Sequence, residues 1–166
     1  MKLSGKKILL GITGSIAAYK TTYLVRDLIK AGAEVKIIAS PSALEFVTPL
    51  TLSTLSKNPV LSEYANTSTG EWNNHVELGL WADLMLIAPA SAHSLAKCAL
   101  GLANDLVSEC YLAATCPVFF APAMNQHMWQ HPSTQQHCIQ LQKRGHHIIP
   151  PISGLHACGE TGVGNL

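Results

Sequence analysis

Four short apolar runs, each closed by small or turn-forming residues, set most of what this chain can become. They are Lys7-Ile8-Leu9-Leu10-Gly11-Ile12, Glu34-Val35-Lys36-Ile37-Ile38-Ala39, Leu84-Met85-Leu86-Ile87-Ala88 and Pro117-Val118-Phe119-Phe120-Ala121. Most are apolar at consecutive positions, as expected of parallel strands covered on both faces. Helical patterns lie between and after them: Ile16 to Lys30, a short helix from about Ser42, Pro49 to Ser56, and one or two turns over His75 to Trp81. Ser94 to Leu102, Leu106 to Ala114, a helix from about Gln126 and another ending at Arg144 follow, before His147-Ile148-Ile149-Pro150. The alternation predicts an α/β fold: a single doubly wound parallel sheet, Rossmann-like or flavodoxin-like, with helices on both faces. A length of 166 residues suits one domain. Asn58 to Asn73 is polar and irregular, and is expected to be a variable loop.

Ligands of such sheets bind beyond the carboxyl ends of the strands. The peptides that follow strands here are Gly11 to Ser15, Ser40-Pro41, Pro89-Ala90-Ser91-Ala92 and Pro122-Ala123-Met124-Asn125, and they are expected to converge on one edge. Gly11-Ile12-Thr13-Gly14-Ser15 opens a helix directly after the first strand, where free N–H groups and the helix dipole favour a phosphate. The turn lacks the G-x-G-x-x-G pattern, and the second strand ends in Ala39-Ser40 without the acid that a dinucleotide ribose requires. That argues against NAD and for a smaller phosphorylated ligand. Hydroxyls at Ser40, Ser91 and Ser94 suit a ribityl chain or a phosphate, and equally suit ordinary helix caps. The small residues of Pro89 to Ala92 leave room for a flat ring against backbone.

Three further residues invite chemistry. His75 carries the side chain whose titration lies nearest neutral pH, the natural general base, although a surface or capping role serves as well. Asn125 follows a strand and a proline and starts a helix, so it either caps that helix or offers its amide to a carboxylate. Cys158 sits in Ala157-Cys158-Gly159-Glu160-Thr161-Gly162-Val163-Gly164. Three glycines in six residues weaken any helix or strand, so the segment reads either as a loose tail or as a flap that carries a thiol over a site. His127 and His131 share an i, i+4 spacing without further ligands, and no metal site is expected.

Composition narrows the class. A net charge of +1 without a basic tract gives no reason to expect nucleic acid. No run of 18 apolar residues exists, so no membrane span is predicted. The N-terminal run Ile8-Leu9-Leu10 is too short for a signal peptide. Five cysteines, an odd number without a C-x-x-C pair, form no disulfide framework and point to a reducing cytoplasm. Cys98, Cys110, Cys116 and Cys138 stand in apolar or helical surroundings and read as packed thiols, unlike Cys158. Charged residues are only 13% of the chain, against about 25% in a typical domain, so part of the surface is expected to be buried in an oligomer.

Taken together, G-S-I-A-A-Y-K at 14 to 20, N-H-V-E-L-G at 74 to 79, P-A-S-A at 89 to 92, G-L-A-N-D-L at 101 to 106, P-A-M-N-x-x-M at 122 to 128 and A-C-G-E-x-G-x-G at 157 to 164 resemble the flavin-dependent cysteine decarboxylases. Within them the pattern is most similar to the phosphopantothenoylcysteine decarboxylases, and it runs from about Lys6 to Gly164. The resemblance implies non-covalent FMN, a homotrimer with active sites between subunits, and in bifunctional bacterial forms a dodecamer built from trimers. It implies decarboxylation of 4′-phosphopantothenoylcysteine to 4′-phosphopantetheine in coenzyme A biosynthesis, through a thioaldehyde that acts as electron sink and an enethiol. Carried over by motif, Gly14, Ser15, Ile16 and Ser40 would contact FMN, together with Ser91, Ala92, His93, Ser94 and Ala123. His75 would be the base and Cys158 the proton donor. Asn125, with Met124 and Ala157 beside it, would hold the substrate, and residues 153–166 would form a covering flap.

Two departures stand out. His93 occupies a position where the family often has Asn or Asp, and Asn165-Leu166 stands where it usually has Arg-Met. An arginine there would clamp a phosphate or carboxylate, and asparagine cannot. The ligase domain of the bifunctional relatives is not in this sequence, which suits a stand-alone enzyme or one domain of a longer protein. The rival readings are a peptidyl-cysteine decarboxylase, a non-catalytic flavin-binding regulatory subunit, whose relatives carry acidic tails, and a flavin prenyltransferase.

Overall fold

The computed structural model describes all 166 residues, Met1–Leu166. Six parallel strands form the central sheet: β1 (Lys7–Ile12), β2 (Glu34–Ala39), β3 (Val60–Leu61), β4 (Leu84–Ala90), β5 (Val118–Pro122) and β6 (His147–Ile148). Their order across the sheet is β3-β2-β1-β4-β5-β6, so the order of winding reverses between β1 and β4. This is the doubly wound Rossmann arrangement, whose ligand crevice lies at that reversal.

The strands separate two cores because successive side chains point to opposite faces. Leu9, Ile38, Met85, Ile87 and Phe120 point to one face. They meet α3 (His75–Trp81), α4 (Ala92–Leu100), α5 (Leu106–Ala113) and α7 (Pro132–Lys143) through Leu78, Leu95, Val107 and Leu141. Ile8, Leu10, Ile12, Val35 and Ile37 point to the other face, towards α1 (Thr21–Lys30) and α2 (Pro49–Ser56), where Val25 and Leu52 are fully buried. The consecutive apolar positions therefore have the physical cause expected from sequence: both faces of the sheet are covered.

Five details differ from the sequence reading. Residues Ile16–Lys20 form a 3-10 turn before α1, where one helix was expected from Ile16 to Lys30. The Thr21 hydroxyl donates to the Ala18 carbonyl at 2.6 Å at that junction, a tight local bond that ends the first turn. The short helix expected from Ser42 is a 3-10 turn from Pro41, and α4 begins at Ala92 rather than Ser94 because Ser91 is its cap. The loop from Asn58 to Asn73 contains the two-residue edge strand β3, too short to leave a periodic signal.

The glycine-rich end is the fifth difference. It forms a two-stranded antiparallel hairpin, β7 (Ile152–Leu155) with β8 (Thr161–Asn165). Glycine permits this strand rather than weakening it. An added Cβ at Gly162 would collide with the Gln126 amide, and one at Gly164 would collide with the Met124 carbonyl. At Gly164 the obstacle is backbone, so the hairpin can lie against the segment after β5 only because that side chain is missing.

Candidate active site

The loops after β1 and β4 are tied together by a residue that sequence reasoning passed over. Thr13 is fully buried; its hydroxyl donates to the Pro89 carbonyl at 2.6 Å and accepts the Ser91 N–H at 2.9 Å. The turn after β1 is thereby fixed to the turn after β4. On the other side, the Ala123 N–H donates to the Ala90 carbonyl at 3.2 Å, joining the turns after β4 and β5.

Two adjoining clefts open on this edge. The first is lined by Gly14, Ser40, Ser42, Ser91, Ala92, His93 and Ser94, with Lys97, Asn104 and Asp105 behind them. Ser91 caps α4 by accepting the Ser94 N–H, and its hydroxyl donates to that of Ser94, both at 3.1 Å. Ser40 and Ser42 pair their hydroxyls at 3.2 Å. Gly14 packs so close to Ser42 that an added Cβ would lie 2.8 Å from the Ser42 Cβ. A ring of hydroxyls at helix starts, with glycine and alanine leaving space, is a donor set for a phosphate or a polyol. The one ammonium present, Lys97, is nearly buried and forms an ion pair with Asp105. Asp105 also caps α5 through the Ser108 N–H at 2.8 Å.

The second cleft holds Ser15, Ile16, Ala123, Met124, Asn125, Ala157 and Cys158, together with His156 and Asn165. Asn125 caps α6 (Gln126–Gln130), its Oδ1 accepting the Met128 N–H at 2.8 Å. That bond commits the oxygen and leaves the Nδ2 donors for a ligand carboxylate. The hairpin is held over this cleft by the Met124 N–H donating to the Gly164 carbonyl at 3.0 Å and the Val163 N–H donating to Gln126 Oε1 at 3.2 Å. The Lys20 ammonium donates to the Leu166 carbonyl at 3.0 Å, and Asn165 stands in the cleft wall. His156 was not singled out from sequence; its Nε2 is buried without a partner beside Cys158.

Cys158 is the one exposed thiol. Burial pushes the Cys98 and Cys110 thiols up to about 12 and that of Cys138 to about 11, and raises that of Cys116. Those four are poor nucleophiles and poor acids near neutral pH.

His75 does not join this group within one chain. It lines a separate cavity with Ala103, Glu109, Leu112 and Ala113. Asn74 caps α3 by accepting the Val76 and Glu77 N–H groups at 3.1 Å each, which orients the first turn. Trp72 and Tyr64 stand beside the imidazole, with ring centroids at 5.8 and 6.1 Å. Of the two histidines spaced i, i+4, His131 accepts the Ser133 N–H on Nδ1 as the cap of α7, and His127 faces Glu160 on the surface at 3.8 Å. No helix is long and apolar enough to cross a membrane.

Comparison with known proteins adds a context to this geometry. The family described as Flavoprotein matches residues 1–166. The coenzyme A biosynthesis bifunctional protein CoaBC of Haemophilus influenzae is 50% identical over the whole chain, and that of Escherichia coli K12 is 46% identical. The chain spans 42% and 41% of those two proteins' lengths. Among solved structures, a cysteine-to-serine variant of PPC decarboxylase complexed with pantothenoylaminoethenethiol superimposes with a TM-score of 0.85. It shares 35% identity, and the match covers 96% of this chain and 90% of that one. The FMN-dependent cysteine decarboxylase SpaF also superimposes at 0.85, with 28% identity over 98% of this chain and 91% of that one.

Proposed function

The chain belongs to the flavoprotein family, and from that premise we propose that it is the FMN-dependent decarboxylase of 4′-phosphopantothenoylcysteine, releasing 4′-phosphopantetheine and CO₂. One observation carries the reading: Cys158, Asn125, Met124 and Ala123 share a cleft with Ser15 and Ile16, next to the hydroxyl-lined cleft at the sheet reversal. Gly14, Ser15, Ile16, Ser40, Ser91, Ala92, His93, Ser94 and Ala123 would hold FMN. Their hydroxyls and helix starts suit its phosphate and ribityl chain, and their small and apolar side chains suit its ring. Bound FMN supplies a two-electron acceptor and donor, which the CH₂–SH carbon of the substrate needs before and after CO₂ leaves.

The chain's own residues do the rest. The free Nδ2 donors of Asn125 hold the carboxylate that is lost. Cys158, on the tip between β7 and β8, returns a proton to the carbon, and the hairpin shields the cleft as a flap. His75 takes the thiol proton of the substrate. Since His75 and Cys158 line different cavities, His75 serves the cleft of a neighbouring copy. Exposed apolar side chains rim both halves, Ile16, Tyr19 and Tyr23 near the Cys158 cleft, and Val76, Leu80 and Leu112 around His75. A trimer would join each pair of halves. Five free thiols suit a reducing cytoplasm.

A cysteine decarboxylase acting on a different substrate, such as a peptidyl cysteine, is the second reading, since the FMN-dependent cysteine decarboxylase SpaF superimposes as well as PPC decarboxylase. Identity to the CoaBC proteins supports the first. The test is complementation on 4′-phosphopantothenoylcysteine. His75→Asn and Cys158→Ser are each expected to be inactive in full turnover. Co-expressed in equal amounts they should recover about a quarter of wild-type activity, the fraction of interfaces with both groups intact. A mixture as inactive as its parents would contradict the shared site, and full turnover by either variant alone would contradict its assigned role.

A further inference from the structure

We infer that Glu109 is a positioning residue for His75, keeping the imidazole proton on Nδ1 so that Nε2 is the basic nitrogen. The two helices that carry these residues run side by side in the same direction. Gly79 on α3 packs on the end of α5, so close that an added Cβ would lie 2.7 Å from the Ala113 carbonyl oxygen. One turn earlier on each helix, at i−4, stand His75 and Glu109. The contact between Gly79 and Ala113 thus fixes the register that brings the imidazole opposite the carboxylate.

Their facing atoms are His75 Nδ1 and Glu109 Oε2, 3.9 Å apart. Both atoms are closed to solvent and neither has a hydrogen-bond partner. Buried polar atoms without partners are costly and therefore rare. Here the two unpartnered atoms face each other, so each can satisfy the other. A carboxylate can only accept, so the shared proton sits on Nδ1 and the lone pair is left on Nε2. Trp72 and Tyr64 hold the ring from outside the pair. A base oriented by a third group is the usual way to fix both its tautomer and its aim.

The consequence for turnover rests on the decarboxylase reading, but the tautomer does not. The experiment is ¹⁵N–¹H NMR of the histidine-labelled protein, with His75 assigned by its absence in His75→Asn, beside steady-state kinetics on 4′-phosphopantothenoylcysteine. The wild type is expected to show His75 as the Nδ1–H tautomer. Glu109→Ala should shift it towards Nε2–H and lower kcat by about tenfold or more with KM little changed, part of the roughly 10²–10⁴ that a positioned base supplies. Glu109→Gln retains an acceptor oxygen and should keep the tautomer and most of kcat. An Nε2–H tautomer in the wild type, or one unmoved by Glu109→Ala, overturns the proposal. A tautomer that responds in a protein inactive on this substrate would refute the decarboxylase reading and leave the Glu109 role standing.

Discussion

Asp105 shows at the residue scale how one side chain can hold a site together. It caps α5 and pairs with Lys97 in the wall of the hydroxyl-lined cleft. Burial alone would raise its carboxyl pKa, but hydrogen bonds from Lys97 and Ser108 outweigh burial and hold it below the usual carboxylate value. The stability this contributes is complete above the ordinary Asp pKa of about 3.9 and is lost as the pH falls through the depressed folded value. Asp105→Asn preserves a capping side chain but leaves the buried Lys97 ammonium unpaired, at a cost of about 3–5 kcal/mol. Thermal unfolding from pH 7 to pH 2 should show the variant below the wild type at neutral pH, with the two curves converging in acid. Parallel curves would contradict the role given to the charge. Asp105 lies in a motif that drew attention in the sequence, yet its partner was not evident there. Glu109 was less visible still: its meaning depends on which turn of α3 lies opposite, and that is set by the packing of Gly79 on Ala113.

At the scale of elements, long buried segments were legible and short, contact-dependent ones were not. β1, β2, α2 and α3 have the bounds their patterns predict, because runs buried on both sides and capped ends leave strong local signals. β3 escaped because its two residues are specified by pairing with β2 alone. The β7–β8 hairpin escaped for the opposite reason: its glycines argue locally against a strand, and only the approach to Met124 and Gln126 explains them. Gly164→Ala, which sets a Cβ against the Met124 backbone, should therefore push the hairpin off the cleft. Hydrogen exchange at Thr161 to Asn165 should accelerate and turnover should fall, while global unfolding changes by less than about 1 kcal/mol, since the hairpin packs outside both cores. Unchanged exchange with unchanged turnover would show that the glycines do not hold the flap in place.

For the whole molecule, the strand order was legible in kind: alternating strands and helices with apolar strands lead to a doubly wound sheet. The sequence brought its strand-following peptides to one edge, and in the structure those peptides line two adjoining clefts. His75 lies elsewhere in the chain's surface, because α3 packs on α5 and away from β8. Low charge content and exposed Tyr19, Tyr23, Leu80 and Leu112 are the molecular counterpart of that separation, and they motivate the proposed assembly. The central claim is that this assembly binds FMN and decarboxylates an acylated cysteine. The direct test is to load the purified protein with FMN, record its visible absorbance, and follow 4′-phosphopantothenoylcysteine by mass spectrometry. The expected result is a yellow protein that forms 4′-phosphopantetheine with equimolar CO₂. A protein that takes up no flavin, or a yellow one that leaves this substrate intact, would contradict it.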